Sequence, residues 1–420
     1  MSPTSTDRLE HPPLFRAFPF NIATRLMAGG DVRATPAQLA AFRRFATIGD
    51  PVADDLVAEM RDLSPGEGRR LFNQALDHGI ETLDNPPPAL RAYFEAIESV
   101  PVWVDHDRLA LGARTMTRTG ILGVYGPLPD IALMGGYLSS KPDKVLVRSG
   151  DLYAKAPGRL IETATWWVQI STPGGLDRFS DGFKSTARVR LTHAHIRAAM
   201  HRRDDWDYEA WDDPVNQIHT VGTLILFSVV FTGGLQMLGF QFSRREREAI
   251  FHFWRYMGHL LGVHPDLLPA TEADAWRITW LEALTEFLPD EDSKKLAAAM
   301  MEAVPTAHGL RGDGPVSRGL GWLLRQTHGA YSRLALGKRN ADRLGLPDRP
   351  VFLGVIGAIA AGNFALETVR RITPGATSLA VRLGDASRRD LLERASRTSA
   401  PDLSFTREPD APRQPEMQPA

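Results

Sequence analysis

One segment of the sequence places a histidine between two arginines at helical spacing. Residues 186–201 contain no helix breaker, and within them Arg190, His193 and Arg197 fall at i, i+3 and i+7, on one helix face. His195 lies about 200° around the helix from His193, so the two histidines cannot share a metal ion. A neutral imidazole can bind haem iron while arginines pair with the propionates. A surface histidine on a basic helix is the alternative.

A second polar group lies on an earlier predicted helix. Its members share one face at i, i+3, i+4 and i+7, and they are Arg159, Glu162, Thr163 and Trp166. The arginine and threonine would hydrogen-bond a bound oxygen species, and Glu162 would act as a base because an apolar pocket raises its pKa. Asp143 could replace Glu162 in that role. The alternative is an Arg–Glu surface pair on an ordinary helix.

Helices are the elements that must position these groups. Three capping boxes mark helix starts, at Thr35–Gln38, Ser64–Glu67 and Ser243–Glu246, and helix-spaced apolar residues follow each of them. The sequence therefore predicts an all-α protein of about 12 to 16 helices.

The helical pattern defines the domain organisation. We predict a single large helical domain over residues 31–395, preceded by an N-terminal extension at 1–30. The Pro- and Ser-rich residues 396–420 are predicted to be a disordered tail.

Two apolar segments raise the question of a membrane. Residues 214–243 contain no charged side chain, but their many polar residues favour a buried helix over a membrane-associated segment. The second segment, Val351–Leu366, is rich in glycine and alanine and is shorter than a bilayer span, so it too predicts a core helix. No secretory signal is recognisable, which predicts a cytoplasmic protein, with membrane association as the alternative.

Composition and charge exclude several classes of function. The chain has no cysteine among its 420 residues, which rules out thiolate-ligated haem, iron–sulfur clusters and cysteine zinc sites. The net charge of −1 argues against a nucleic-acid partner. That value conceals a block of seven basic residues and one acidic residue at 178–203, followed by six acidic residues at 204–213. The basic block is either a solvated face, compensated by the acidic loop, or a set of arginines that serves a buried anion.

The two polar groups together resemble the catalytic domain shared by latex-clearing proteins (rubber oxygenases) and the ER-bound oxygenase of mycophenolic acid biosynthesis. The resemblance is strongest over residues 120–300. The motifs that carry it are Arg159-x-x-x-Thr163, Arg190-x-x-His193-x-x-x-Arg197, Pro214-Val-Asn216-Gln217 and Trp254-Arg-Tyr-Met-Gly258-His-Leu-Leu261-Gly262-Val.

This resemblance implies a globin-like helical core that holds a non-covalent haem b. His193 would be the proximal iron ligand, with Arg190 and Arg197 around it. Arg159 and Thr163 match polar positions on the distal side of the haem.

The sequence departs from the family pattern at Glu162. The characterised rubber-cleaving members carry a lysine there that can occupy the distal iron position. Glutamate is a poorer iron ligand in an apolar pocket, which implies an open or water-filled sixth site. The departure argues against rubber cleavage more than against haem binding.

The predicted function is that of a haem b-dependent oxygenase, an oxidoreductase that uses O₂ on an apolar, unsaturated or isoprenoid-like substrate. A peripheral membrane contact is a further expectation for an enzyme of apolar substrates. Two alternatives stay open. One is an inert helical haem- or lipid-binding protein. The other is a non-haem metal enzyme that would use His219, His252, His259 or His264.

Overall fold

The structure, a computed structural model, describes residues 8–150, 152–310, 312 and 314–398. Every regular element within these ranges is helical, which confirms the all-α prediction. The described residues form 22 α-helices, more than the 12 to 16 predicted, because six of them are shorter than eight residues and carry no periodic pattern long enough to recognise. Most of the predicted disordered tail, residues 399–420, lies outside the described residues, whereas 396–398 complete the last helix.

The first half of the chain forms ten α-helices that lead up to the site. They are α1 (Pro13–Arg16), α2 (Phe20–Met27), α3 (Pro36–Arg43), α4 (Pro51–Asp62), α5 (Glu67–His78), α6 (Pro88–Glu98), α7 (His106–Thr117), α8 (Gly120–Tyr125), α9 (Met134–Gly136) and α10 (Ser140–Arg148).

The second half contains the longest helices. They are α11 (Leu152–Ser171), α12 (Asp181–Met200), α13 (Tyr208–Trp211), α14 (Gln217–Ile225), α15 (Phe231–Met237), α16 (Arg244–Leu260), α17 (Glu272–Thr285), α18 (Glu291–Ala307), α19 (Pro315–Leu336), α20 (Lys338–Arg343), α21 (Leu353–Ile372) and α22 (Ala376–Thr398). Short 3₁₀ segments lie at Arg44–Thr47, Ile80–Thr82, Pro265–Leu267 and Pro350–Phe352, and π-helical segments at Leu128–Leu133 and Leu226–Val230.

Two of the three predicted capping boxes form as expected. Thr35 and Ser243 each accept the N3 backbone N–H, and the N3 side chain accepts from the cap backbone in return. The prediction at Ser64 is wrong, because Gly66 takes a left-handed φ of 81° and α5 begins after it.

The main hydrophobic core joins residues from Phe15 to Leu391. Near its centre, the ring of Phe227 lies 5.7 Å from Trp166 and 5.5 Å from Trp254. Because Trp166 belongs to α11, this aromatic group anchors the helix that carries the predicted Arg–Glu–Thr set. The predicted boundary of the helical domain at residue 31 stays a prediction.

Two described segments are long and apolar enough to cross a membrane by length and composition. Gln217–Met237 is 67% buried inside the fold, so the predicted core helix is confirmed there. Pro350–Ile372 is only 11% buried, and the prediction of a core helix at Val351–Leu366 is therefore wrong. Apolar composition alone cannot distinguish a helix that faces the core from one that faces outward.

Candidate active site

Helices α11 and α12 form an antiparallel pair that carries all six predicted site residues. Nε1 of Trp166 donates to Oγ1 of Thr186 at 3.1 Å, which fixes the register of the pair. Arg159 lies seven residues before Trp166, and His193 lies seven residues after Thr186. Both therefore lie about 10 Å from that bond in the same direction. Residues seven apart share a helix face, so Arg159 and His193 lie on the two faces that meet at this bond.

The start of α12 depends on Gly182, at the end of the turn between the two helices. A Cβ at Gly182 would lie 2.2 Å from the carbonyl oxygen of Gly175 and 2.8 Å from that of Gln169. Both atoms belong to the backbone, so no flexible side chain could give way. Gly182 thus permits the close approach that sets the spacing of the pair.

His193 carries a neutral imidazole on the inward part of α12. Burial, and then the positive charge of Arg197, lowers the pKa of His193 to about 4. The ring nevertheless keeps part of its surface accessible, and no hydrogen bond joins it to the residues that the structure describes. Iron and other metals bind the neutral imidazole through its lone pair. The His193 ring is therefore in the state that a metal ligand requires.

The two predicted arginines of this helix have carboxylate partners on or beside α4. Nε and Nη2 of Arg190 donate to Asp50 at 2.6 and 2.9 Å. Arg197 donates to Asp54 at 2.7 to 3.0 Å and to the carbonyl oxygen of Val215 at 2.7 Å. The arginines predicted to pair with propionates are thus engaged by aspartates, because the start of α4 brings negative charge inside the fold. Their observed role is to tie α12 to α4.

Gln217 and Gly262, both in motifs that carry the resemblance, enclose one of these ion pairs. Nε2 of Gln217 donates to the carbonyl oxygens of Gly49 and Gly262 at 2.7 and 3.0 Å. A Cβ at Gly262, whose φ is +78°, would lie 2.4 Å from Oδ2 of Asp50 and 2.6 Å from Nε of Arg190. The motif glycine thus leaves room for the ion pair.

Short local contacts hold the predicted polar group on α11. Nη2 of Arg159 donates to Oγ of Ser149 at 2.8 Å, and the Thr163 hydroxyl donates to the carbonyl oxygen of Arg159 at 2.8 Å. Burial lowers the pKa of Arg159, while Tyr137 and Glu162 act in the opposite direction. A half-buried guanidinium is therefore held at the level of His193, near Tyr137 and Glu162.

Asp143, the alternative to Glu162 as a base, is a deeply buried carboxyl group. It is 1% exposed, and its Oδ2 accepts a hydrogen bond from the Ser293 hydroxyl at 2.7 Å. Burial raises the pKa of Asp143 well above its usual range, and the Asp143 charge contributes to the raised pKa of Tyr137. Because a raised pKa makes the ionised carboxylate a stronger base, this environment suits a proton acceptor.

A cavity of about 50 Å³ lies next to Pro142, the residue before Asp143, and is enclosed by α10, α14 and α17. Its lining combines apolar and polar side chains. The lining residues are Gly136, Ser139, Pro142, His219, Gly222, Thr223, Ile225, Leu226, Val230, Thr279, Glu282, Glu286 and Phe287.

Three buried polar atoms of the lining residues lack a hydrogen-bond partner: Nδ1 of His219, Oε1 of Glu282 and Oε2 of Glu286. Nδ2 of Asn216 lies 3.4 Å from Nε2 of His219, and an amide nitrogen can only donate, so the neutral ring carries its proton on Nδ1. Burial lowers the pKa of His219 to about 3 and raises that of Glu282 well above its usual range. The cavity therefore offers an N–H donor and a protonated carboxyl group.

The charges around the cavity explain why Glu282 keeps its proton. Arg43 donates to Glu286 at 2.9 Å and to Asp212 at 2.8 Å, and Lys141 donates to Asp212 at 2.7 Å. The two cations balance Asp212 and Glu286, which leaves Glu282 as the surplus acid. Asp212, from the acidic 204–213 segment, thus neutralises this cluster rather than the arginines of α12.

The segment of residues 130–361 matches the family described as "ER-bound oxygenase mpaB/B'/Rubber oxygenase, catalytic domain". That segment is more than half of the chain. The protein belongs to this oxygenase family.

Similar proteins agree with this membership. The rubber oxygenase of Streptomyces sp. (strain K30) is 25% identical over 288 residues, which cover 66% of this chain and 64% of that protein. A solved structure, described as latex clearing protein LCP in the closed state, shares the fold with a TM-score of 0.60 at 20% identity. The match covers 83% of this chain and 91% of that structure.

The family segment contains all six predicted site residues but not the aspartates that hold α12. Asp50 and Asp54 precede it, and no local motif marks them as partners of helix α12, more than 130 residues away. Glu282 and Glu286 lie inside the family segment and were missed as well. Their signal is a pair of acids at i, i+4 on a helix that is otherwise rich in buried apolar residues.

The histidines of the non-haem alternative are held separately by the scaffold. His252 accepts from the backbone N–H of Asp105 at 2.8 Å, and His259 bonds the carbonyl oxygen of Ser99 at 2.8 Å. His264 accepts from the Asp266 N–H at 3.2 Å. Within the described ranges, no three His, Asp or Glu side chains are grouped as a metal site would need.

Proposed function

We propose that this member of the oxygenase family is a haem b-dependent enzyme that oxygenates an apolar, unsaturated substrate of the isoprenoid class. The observation that carries the proposal is the neutral, unpaired imidazole of His193 at the level of Arg159. The name of the Streptomyces relative, a rubber oxygenase, supports a polyisoprene-like substrate.

The protein groups around His193 suit a haem held by one protein ligand. A haem iron needs a single neutral imidazole on its proximal side, and His193 offers one without competing hydrogen bonds. Trp166 and Trp167 are almost fully buried on α11 and would help to exclude water from the site. When bound, the haem supplies the redox chemistry with O₂ that the protein's own side chains lack.

The chain's own residues then have separate tasks. Arg159 is a half-buried cation, and in a low-dielectric site it would stabilise negative charge that develops on oxygen. Asp143 or Glu162 would accept the allylic proton of the substrate. Arg190 and Arg197 would position His193 by fixing α12 against the two aspartates, rather than by contacting the cofactor.

Haem content tests the first part of the proposal. The chain is expressed with a haem precursor, and the Soret band and pyridine haemochrome are measured for the wild type, His193→Ala and the matched control His195→Ala. We expect b-type haem in the wild type and the control and its loss from His193→Ala. A colourless wild type, or a His193→Ala variant with full haem content, would overturn the proposal.

Oxygen uptake tests the second part. The haem-loaded protein is mixed with a series of isoprenoid alkenes, and O₂ consumption is followed together with carbonyl products. We expect uptake that depends on a C=C bond and falls by at least about tenfold in Arg159→Met, since one oxyanion donor is worth roughly that much or more. A haem-containing protein without uptake on any alkene would indicate the inert carrier instead.

A further inference from the structure

Helix α21 has its polarity reversed relative to an ordinary surface helix. Its inward stripe carries the polar groups: Asn363 donates to the carbonyl oxygen of Leu238 at 2.8 Å, and Glu367 accepts from Arg118 at 2.7 Å. Its outward side is apolar, with Val369 56% exposed and Ile372 77% exposed. Surface helices of soluble proteins normally place charged or polar residues on that side. The apolar side of α21 therefore faces something other than water.

The apolar surface continues onto the two helices that pack beside α21. Trp322 of α19 is 46% exposed, and its ring lies 5.7 Å from that of Phe352, at the start of α21. We name the exposed apolar set the α21 face. It comprises Val316, Leu320, Trp322, Leu323, Val351, Leu353, Val355, Phe364, Leu366, Val369, Ile372, Leu379 and Leu383.

The exposed charges between residues 314 and 383 are strongly biased toward basic side chains. The only exposed acids in this described range are Asp342 and Asp348, and both pair with Arg333. The exposed cations are Arg318, Lys338, Arg339, Arg343, Arg349, Arg371 and Arg382. The exposed side chains around the α21 face are therefore mainly basic.

The charges distinguish between two possible occupants of this face. Arg349 precedes α21 and Arg371 lies in its last turn, so a second copy packed along α21 would bring like charges together in either orientation. An anionic lipid surface is complementary to both ends at once. Apolar side chains flanked by arginines, with a tryptophan at the edge, are also the composition of helices that lie in a membrane interface.

The inward contacts decide how α21 would meet a bilayer. Glu367 is 6% exposed and bonded to Arg118, which follows the end of α7, so α21 is part of the folded body along one side. A helix that crosses a bilayer would have to leave these contacts and place Glu367 in hydrocarbon, which is costly. The geometry favours a helix that lies along the membrane surface over one that spans it.

We propose that the α21 face docks this protein peripherally on an anionic lipid bilayer, with α21 in the plane of the interface. Val369, Ile372 and Trp322 enter the acyl boundary, while Arg349 and Arg371 contact anionic headgroups. This inference is independent of the proposed haem chemistry. It would nevertheless give an apolar substrate a direct route from the bilayer to the enzyme.

Vesicle flotation of the full chain tests this docking. The probes are phosphatidylcholine vesicles with about 30% phosphatidylglycerol and vesicles of phosphatidylcholine alone. We expect binding to the anionic vesicles that weakens with salt, and at least about tenfold weaker binding for Val369→Glu and Ile372→Glu. Leu26→Glu is the matched control, because Leu26 is 77% exposed on α2, outside the α21 face.

Tryptophan quenching gives an independent readout of the same contact. Trp322 is the one tryptophan among the exposed large hydrophobic residues, so brominated acyl chains should quench it selectively. We expect quenching in the wild type and in Leu26→Glu, and its loss in Trp322→Phe. Circular dichroism checks that each variant is folded.

Three results would overturn the proposal. The first is a wild type that floats with neither kind of vesicle. The second is equal loss of binding in Leu26→Glu and Val369→Glu. The third is a wild-type dimer in light scattering that Val369→Glu converts to a monomer without any effect of lipid, which would assign the face to a second copy.

Discussion

The buried ion pair between Arg190 and Asp50 should be a major support of the histidine helix. Both residues are almost fully buried, at 5% and 7% exposure, and two hydrogen bonds of 2.6 and 2.9 Å join them. Burial acts to lower the pKa of Arg190, but its bonds to Asp50 raise the pKa overall, so the guanidinium stays charged. Asp50→Asn keeps the side-chain shape and a residue able to cap α4, and it removes only the charge.

The expected cost follows from leaving a buried cation without its counter-charge. Breaking one partner of such a pair costs about 3 to 5 kcal/mol of the free energy of unfolding. Asp54→Asn is the matched control, because the Asp54 side chain is 35% exposed and Arg197 keeps its bond to Val215. Its expected cost is about 1 kcal/mol.

Urea unfolding at pH 7, followed by far-ultraviolet circular dichroism, measures these differences. A double variant, Asp50→Asn with Arg190→Met, removes both charges and should recover most of the lost stability. The reasoning is refuted if Asp50→Asn costs less than about 1 kcal/mol, or if the double variant is as unstable as the single one.

Three further predictions concern the turn, the cavity and the histidine. Gly182→Ala should lower the free energy of unfolding by about 3 kcal/mol, because its Cβ would meet backbone carbonyls. Gly158→Ala, whose Cβ would meet nothing within 4 Å, should not destabilise, and equal losses in urea would contradict the turn geometry. Burial raises the pKa of Glu282, so the wild type loses stability as the pH rises above 4.5. Glu282→Gln should therefore become more stable relative to the wild type as the pH rises from 4.5, and a constant difference in the free energy of unfolding would refute a buried acid. The pKa of His193 falls from 6.5 to about 4 on folding, so the apoprotein should lose on the order of 3 kcal/mol as the pH drops through that window. His193→Asn should lack this loss, and an unchanged acid profile would show that His193 is not buried in the neutral form.

Helix periodicity was sufficient to predict which of these residues share a face of one helix. The spacings of Arg190, His193 and Arg197, and of Arg159 and Trp166, are local properties, and α11 and α12 retain them. The bond from Trp166 to Thr186 then sets the two faces against each other. That register is a tertiary contact, and the sequence supported it only through the family resemblance.

The charge partners of these groups could not be predicted from local patterns. Arg190 and Asp50 are 140 residues apart, so their pairing depends on how α4 crosses α12. The acidic segment 204–213 was the nearer source of negative charge in sequence, yet Asp212 pairs with Arg43 and Lys141 instead. Acidic residues that are close in sequence need not pair with a basic helix, because the packing of the helices decides which charges meet.

The wrong prediction for α21 has a similar cause. Its apolar residues show that the helix avoids water on most of its surface, but composition does not say what covers it. The polar residues were the informative ones, because Asn363 and Glu367 face inward and leave the apolar side outward.

Imidazole rescue of His193→Gly asks whether the His193 side chain alone supplies the protein ligand of the haem. The variant is purified from cells grown with a haem precursor, and haem is then added with and without imidazole while the Soret region is recorded. We expect His193→Gly to bind no haem alone and to regain a b-type spectrum when imidazole is supplied. If the variant takes up haem fully without imidazole, or stays colourless with imidazole although the wild type binds haem, His193 is not the haem ligand.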